Sequence, residues 1–313
     1  MRILLTGGLG FVGSNLLELL EKDEAVTKII IVDNLCYTAN LPVIEKLGNK
    51  SSFIKGDICD TNLMRGLVRQ SDVVINLAAQ AFVDNSISNA RPFVDTNVLG
   101  VLSLLEAIKQ DGFRCRLIHA STDEVWGDIL EGSFTEDSPY LPRNPYAATK
   151  AAGDHLVRSF GNTFNLNYNI VHFTNLYGPW MYPERLIPKT IVRFMANERM
   201  GLHGDGNQIR TWLHVSDAVQ GVMKILHSSF HGESFALGME AEHTNLEVVS
   251  IVAKIMSKKL ETAVEYIPDR LGQDFRYSVC STKSMNMLNW KPTISLEQGL
   301  NKLVKWYSHQ HDE

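Results

Sequence analysis

Short apolar runs and longer amphipathic stretches alternate through the first half of the chain. The runs at 3–5, 29–32, 52–55, 73–77, 117–120 and 169–173 are bounded by Gly, Asp or Asn and predict buried strands. Between them, 12–21, 63–68, 98–109 and 147–164 carry apolar residues at helical spacing. This alternation predicts βαβ units and a parallel sheet covered on both faces. Right-handed crossovers make it an α/β fold of the Rossmann type, a doubly wound parallel sheet with ligands at the carboxyl ends of its strands.

Beyond about position 175 the pattern loosens. Pro179, Pro183 and Pro188, with Gly201, Gly204 and Gly206, predict loops and short elements, and helices return over 246–256 and 296–307. The expected division is a dinucleotide-binding domain over 1–174, rejoined by segments near 211–235. A smaller C-terminal substrate-binding lobe takes most of 175–313.

Composition narrows the picture. With 313 residues, 44% of them hydrophobic, the chain has ample material for a buried core. Its net charge of -5 leaves no basic footprint for nucleic acid, so a phosphate-bearing ligand must be held by local donors. Cys36, Cys59, Cys115 and Cys280 are scattered, without C-x-x-C pairing or metal-ligand spacing. They read as free thiols; the expected location is the cytoplasm, and no metal site is expected. A strand that starts at once leaves no expected leader, and no apolar run is long enough for a membrane span.

Residues 6–13 read TGGLGFVG, following the first strand and opening the first helix. Gly7, Gly10 and Gly13 permit a tight turn, close backbone approach to a pyrophosphate, and packing of helix on strand. The helix amides at Phe11 and Val12 then meet phosphate oxygens. Twenty residues after Gly13 stands Asp33, at the end of the second strand. By itself Asp33 is equally a turn residue. With the glycines, it accepts the ribose hydroxyls of NAD and repels the extra phosphate of NADP. Asn34 beside it, Asp57 and Ile58 after the third strand, and Leu77, Ala78 and Ala79 after the fourth extend the candidate cofactor set. Asn97, Tyr146 and Lys150 complete it.

Residues 120–127, ASTDEVWG, bring polar groups to the carboxyl edge of the sheet. Tyr146 and Lys150 stand one helical turn apart on the same face. An ammonium beside a phenol stabilises phenolate, which makes Tyr146 a usable base near neutral pH. Lys150 can also reach the nicotinamide ribose, and Thr122 offers a hydroxyl to a substrate oxygen. A Y-x-x-x-K pair alone usually marks an exposed helix face; after a glycine turn and a Ser-Thr strand end it reads as chemistry. Asp123 and Glu124 discriminate further. Adjacent acids after a strand are commonly turn formers or caps. A simple oxidoreductase has no use for a second acid/base pair, so beside a nicotinamide these two suggest an elimination following oxidation.

These residues resemble the dTDP-glucose 4,6-dehydratase family of extended short-chain dehydrogenases/reductases, over nearly the whole chain. Thr122, Asp123 and Glu124 match the family's Thr-Asp-Glu, and Tyr146 and Lys150 its Tyr/Lys pair. Residues 174–179 (TNLYGP), 183–188 (PERLIP), 204–212 (GDGNQIRTW), 269–277 and 288–292 look like its substrate segments. The resemblance implies that Tyr146 takes the C4 hydroxyl proton of a nucleoside-diphosphate hexose while hydride passes to NAD. Glu124 then removes the C5 hydrogen, Asp123 protonates the departing C6 hydroxyl, and hydride returns to C6. It also implies substrate contacts at Asp84, Thr122, Asn175, Arg210, Asn245 and Arg276, the last of these equally a surface ion pair. A homodimer through the helices at 98–109 and 147–164 is implied as well, although their apolar faces can equally just cover the sheet.

Departures lie in the sugar and nucleotide pockets. Phe82 stands where the family usually has His, Leu271-Gly272-Gln273 where it has Pro-Gly-His, and Thr211 where it has Asp. A 4-epimerase, a decarboxylase and a simple 4-dehydrogenase are the related alternatives, and Asp123 argues against the first two. A non-catalytic nucleotide-binding regulator is the alternative of another class; the intact Tyr146 and Lys150 argue against it.

Overall fold

The computed structural model describes residues 1–269 and 274–311. Its strands are β1 (Arg2–Thr6), β2 (Lys28–Asp33), β3 (Ser51–Lys55), β4 (Val73–Asn76), β5 (Arg116–Thr122), β6 (Tyr168–Phe173), β7 (Asn175–Tyr177), β8 (Met200–His203), β9 (Ile209–His214), β10 (Glu233–Leu237), β11 (Glu242–Thr244) and β12 (Val264–Ile267). Seven of them form the central sheet in the order β3-β2-β1-β4-β5-β6-β10, with every pairing parallel. The direction of winding reverses between β1 and β4, which opens a crevice at the carboxyl edge there.

The strands are uninterrupted apolar runs because successive residues serve opposite faces. Ile3, Leu5, Ile29, Ile31 and Ile75 join one core with the helices Phe11–Lys22 and Val215–Leu226. Leu4, Ile30, Val32 and Val74 join the other, under Thr61–Val68, Val101–Gln110 and Pro145–Phe164. A third core, around Tyr177, Ile191, Phe194, Trp212, Val248 and Leu300, binds the helices Leu186–Met195, Asn245–Ile255 and Leu296–His311. Two small sheets, β11-β9-β7 and β12-β8, complete that lobe.

Three details differ from the sequence reading. Pro188 does not mark a loop: it is the third residue of Leu186–Met195, within the first turn, where its missing N–H would have had no partner. The helix expected at 98–109 begins as a π-helical turn, Asp95–Gly100, after Arg91–Val94, and only then runs as Val101–Gln110. A seventh strand, β10, joins the sheet beside β6. Among the described residues no helix is long and apolar enough to cross a membrane.

Candidate active site

The crevice at β1 is shaped by missing side chains. Gly7 has φ +66, and a Cβ there would lie 2.6 Å from the Ala78 amide nitrogen. At Gly13 a Cβ would meet the Gly7 and Gly8 backbone at 2.6 Å, so the helix can start this close to the turn only without one. Gly10 caps that helix without any side-chain hydrogen bond, which leaves the first-turn amides at Phe11, Val12 and Gly13 available to an anion. Asp33, buried at the end of β2, accepts from the amides of Leu9 (3.1 Å) and Leu35 (2.9 Å). Burial raises its pKa, and the two amides oppose that rise.

Asn34 donates to Asp57 at 3.1 Å, and Asp57 also accepts from the Cys59 amide at 2.8 Å. Gly7, Gly10, Asp33, Asn34, Asp57, Ile58, Leu77, Ala78 and Ala79 line one groove. Cys36, Thr38, Ala39 and Thr96 line it too, and no motif or spacing points to them. The chain is turned at Leu35, φ 59, a fold-back that no periodicity announces. Asn97 supports the groove from behind: its amide exchanges two hydrogen bonds with the Gln80 backbone (2.9 and 3.0 Å) and donates to Thr149. Free helix amides, close backbone and a buried carboxylate at this spacing fit a dinucleotide.

The chemical end lies where β5 stops. Thr122 donates to Asp123 at 3.2 Å and accepts from the Glu124 amide at 3.3 Å, starting the single 3-10 turn Asp123–Trp126. Asp123 is 3% exposed and its Oδ2 has no partner. Burial first, and the Glu124 charge second, push its pKa up to about 8. Glu124 is also raised by burial, a rise opposed by Asn144 Nδ2, which donates to its Oε2 at 3.1 Å.

Tyr146 is the second residue of Pro145–Phe164, whose first position is the proline that helix starts favour. One turn on, Lys150 is buried, and desolvation lowers its pKa to about 8. The expected lowering of the Tyr146 pKa by Lys150 is not what this site has. Burial, with the Glu124 charge, raises the phenol instead, and the Lys150 ammonium donates to the Ala120 carbonyl. Thr122, nearby, opposes the rise.

Arg210 stacks on Tyr277, 4.2 Å from the ring centre, and donates to the carbonyls of Ile209, Asp274 and Phe275. Its charge favours ionisation of both Asp123 and Glu124. Arg276 is occupied too: it pairs with Glu242 and donates to the carbonyls of Ile129 and Gly132. Asn175 opens β7 opposite Trp212, and Asn245 begins its helix with Nδ2 3.3 Å from Gln208 Oε1. Asp84 is exposed in the short helix Val83–Ser88. Phe82 packs against Tyr37 and Tyr182, with the Arg185 guanidinium 4.4 Å from its ring centre. Residues 271–273 lie outside the described residues.

A parallel sheet with a glycine-built crevice, and a Tyr/Lys helix beside a Ser-Thr strand end, define an extended short-chain dehydrogenase/reductase. The family described as GDP-mannose 4,6 dehydratase matches residues 4–303. The dTDP-glucose 4,6-dehydratase of Xanthomonas campestris pv. campestris (strain B100) is 39% identical, over 97% of this chain and 92% of that protein. DesIV, the dTDP-glucose 4,6-dehydratase of Streptomyces venezuelae solved with NAD and TYD bound, superposes with a TM-score of 0.96 at 35% identity, covering 100% of this chain and 98% of that one. The UDP-glucose 4-epimerase of Thermotoga maritima, solved with UDP-glucose, reaches 0.92 at 27% identity, covering 99% and 100%. Backbone shape therefore does not separate the two reactions. Within its class, this chain belongs to the dTDP-glucose 4,6-dehydratase family.

Proposed function

We infer that this chain is an NAD-dependent nucleotide-sugar 4,6-dehydratase, which converts a nucleoside-diphosphate hexose to its 4-keto-6-deoxy product. The observation that carries the reading is the adjacent pair of buried Asp123 and half-buried Glu124 beside Tyr146. Elimination across C5–C6 needs one group holding a proton and one free to take one. With its pKa near 8, Asp123 keeps its proton at neutral pH and serves as the acid at the C6 hydroxyl. Glu124, raised by burial and oriented by the Asn144 hydrogen bond, serves as the base at C5. Tyr146 accepts the C4 hydroxyl proton, with the Lys150 ammonium one helical turn away to favour the phenolate.

NAD, when bound, would supply reversible hydride acceptance to this chemistry. Gly7, Gly10, Phe11, Val12, Gly13 and Asp33 hold its pyrophosphate and ribose, and Lys150 its nicotinamide ribose. Residues 1–174, with Val215–Leu226 and β10, serve as the cofactor unit; the third core carries the sugar nucleotide. Arg210, Asn175 and Asn245 serve the diphosphate and nucleoside, with dTDP-glucose the substrate the relatives favour. Mass spectrometry of the purified protein with dTDP-glucose, UDP-glucose, UDP-N-acetylglucosamine or GDP-mannose, without added reductant, tests the reading. Loss of one water from a single nucleotide sugar is expected; unchanged sugars, or an epimer of equal mass, would refute it.

The protein acts in the cytoplasm as a homodimer in this reading. Most apolar residues of Val101–Gln110 are spent on covering the sheet, while Ile87, Val94 and Leu99 remain exposed nearby for a second copy. Light scattering that gives a monomer mass would remove the dimer.

A further inference from the structure

We propose that Asn144 is a positioning residue that orients the Glu124 carboxylate and ties it to the helix bearing Tyr146 and Lys150, an inference that rests on the dehydratase reading. Asn144 is 7% exposed and immediately precedes that helix. Its Oδ1 accepts from the Ala147 amide at 2.8 Å, the usual task of an N-cap. A backbone amide can only donate, so the oxygen must face Ala147, and the NH2 group is left pointing at Glu124 Oε2, 3.1 Å away. One side chain therefore fixes the start of the helix and the direction of the carboxylate together.

The second group near Glu124 does not duplicate this. Tyr277 lies with its hydroxyl 3.4 Å from the same Oε2, but it donates to Asp274 through a short hydrogen bond. A phenol has one proton to give, and Asp274 has it. Arg185 and Arg210 help Glu124 through their charge alone, whereas Asp274 opposes ionisation. Among the described side chains, Asn144 is thus the hydrogen-bond donor that Glu124 depends on. The C5 base is thereby aligned with the C4 base, since both are set by the first turn of one helix.

Two substitutions separate the cap from the donor. Asn144→Ser keeps an oxygen for the Ala147 amide but withdraws the NH2 group; Asn144→Asp keeps the cap and faces Glu124 with a second carboxyl. Both should melt close to the parent protein. In both, the acid limb of the kcat profile should move upward by about one pH unit or more, further for Asn144→Asp. Reduced nicotinamide should accumulate during turnover with dTDP-glucose, since oxidation at C4 continues while loss of the C5 proton slows. An Asn144→Ser enzyme whose pH profile coincides with the parent, at matched stability, would overturn the proposal. Failure of the dehydratase reading looks different: the unaltered enzyme then releases no water from any sugar nucleotide.

Discussion

The two ends of the crevice are built on opposite terms. At the cofactor end the protein withholds side chains: Gly7, Gly10 and Gly13 bring bare backbone to the ligand, and the buried carboxylate Asp33 is steadied by two amides. At the chemical end it crowds in ionisable side chains, buried Asp123, Tyr146 and Lys150 with half-buried Glu124. Recognition there needs geometry that does not change with pH; catalysis here needs protons that can be moved. The contrast teaches that burial serves rigidity in one place and pKa tuning in the other.

The largest way to sharpen the contrast is Tyr146→Phe. Product formation should fall by about 10³-fold, with no reduced nicotinamide formed, while NAD stays bound. Retained NAD with lost chemistry would show the two ends to be separable; unchanged product formation would break the assignment of the base. Next comes Asp123→Asn, expected to cost about 10²-fold in dehydration while C4 oxidation persists, read by rapid-scan absorbance. In the parent, dehydration should decline as pH rises through about 8, where Asp123 gives up its proton.

Gly7→Ala attacks the other end. A left-handed φ and a Cβ 2.6 Å from backbone should weaken NAD binding by about tenfold or more, by titration calorimetry, and leave the Asp123 limb of the pH profile where it was. The smallest effect concerns stability. The folded pKa of Asp123 lies above its ordinary 3.8, so its contribution is complete below that value and lost as pH rises towards about 8. Asp123→Asn should therefore melt a few degrees above the parent at pH 8, with the gap closing near pH 4. An equal gap at both values would mean that the carboxyl is not desolvated.

Legibility in the sequence follows the same division. The glycine turn and Asp33 were readable because chain spacing alone places a turn, a helix start and a strand end. The residue types at 122–124 and the Tyr146/Lys150 pair were readable for the same reason. Their ionisation was not, since it depends on what covers them: Lys150 turns to the Ala120 carbonyl, and burial raises the phenol. Asn144 looks in sequence like an ordinary cap before Pro145, and only the approach of Glu124 from another strand end gives it a second partner. Arg276 shows the converse, a phosphate-binding residue type whose donors are taken up by Glu242 and two carbonyls. The second lobe was obscure because Pro188 sits where a helix tolerates it.

The return of the chain to its first sheet has a consequence for synthesis on the ribosome. One face of that sheet is closed by Val215–Leu226, Phe235 and Leu237, and finally by Leu288 and Trp290, more than a hundred residues after β6. A nascent chain that has already emerged through β6 therefore presents Ile3, Leu5, Ile29 and Ile31 beneath an unfinished roof. Until the late segments arrive, that apolar floor is a surface a chaperone can hold, and the order of translation sets how long it stays open.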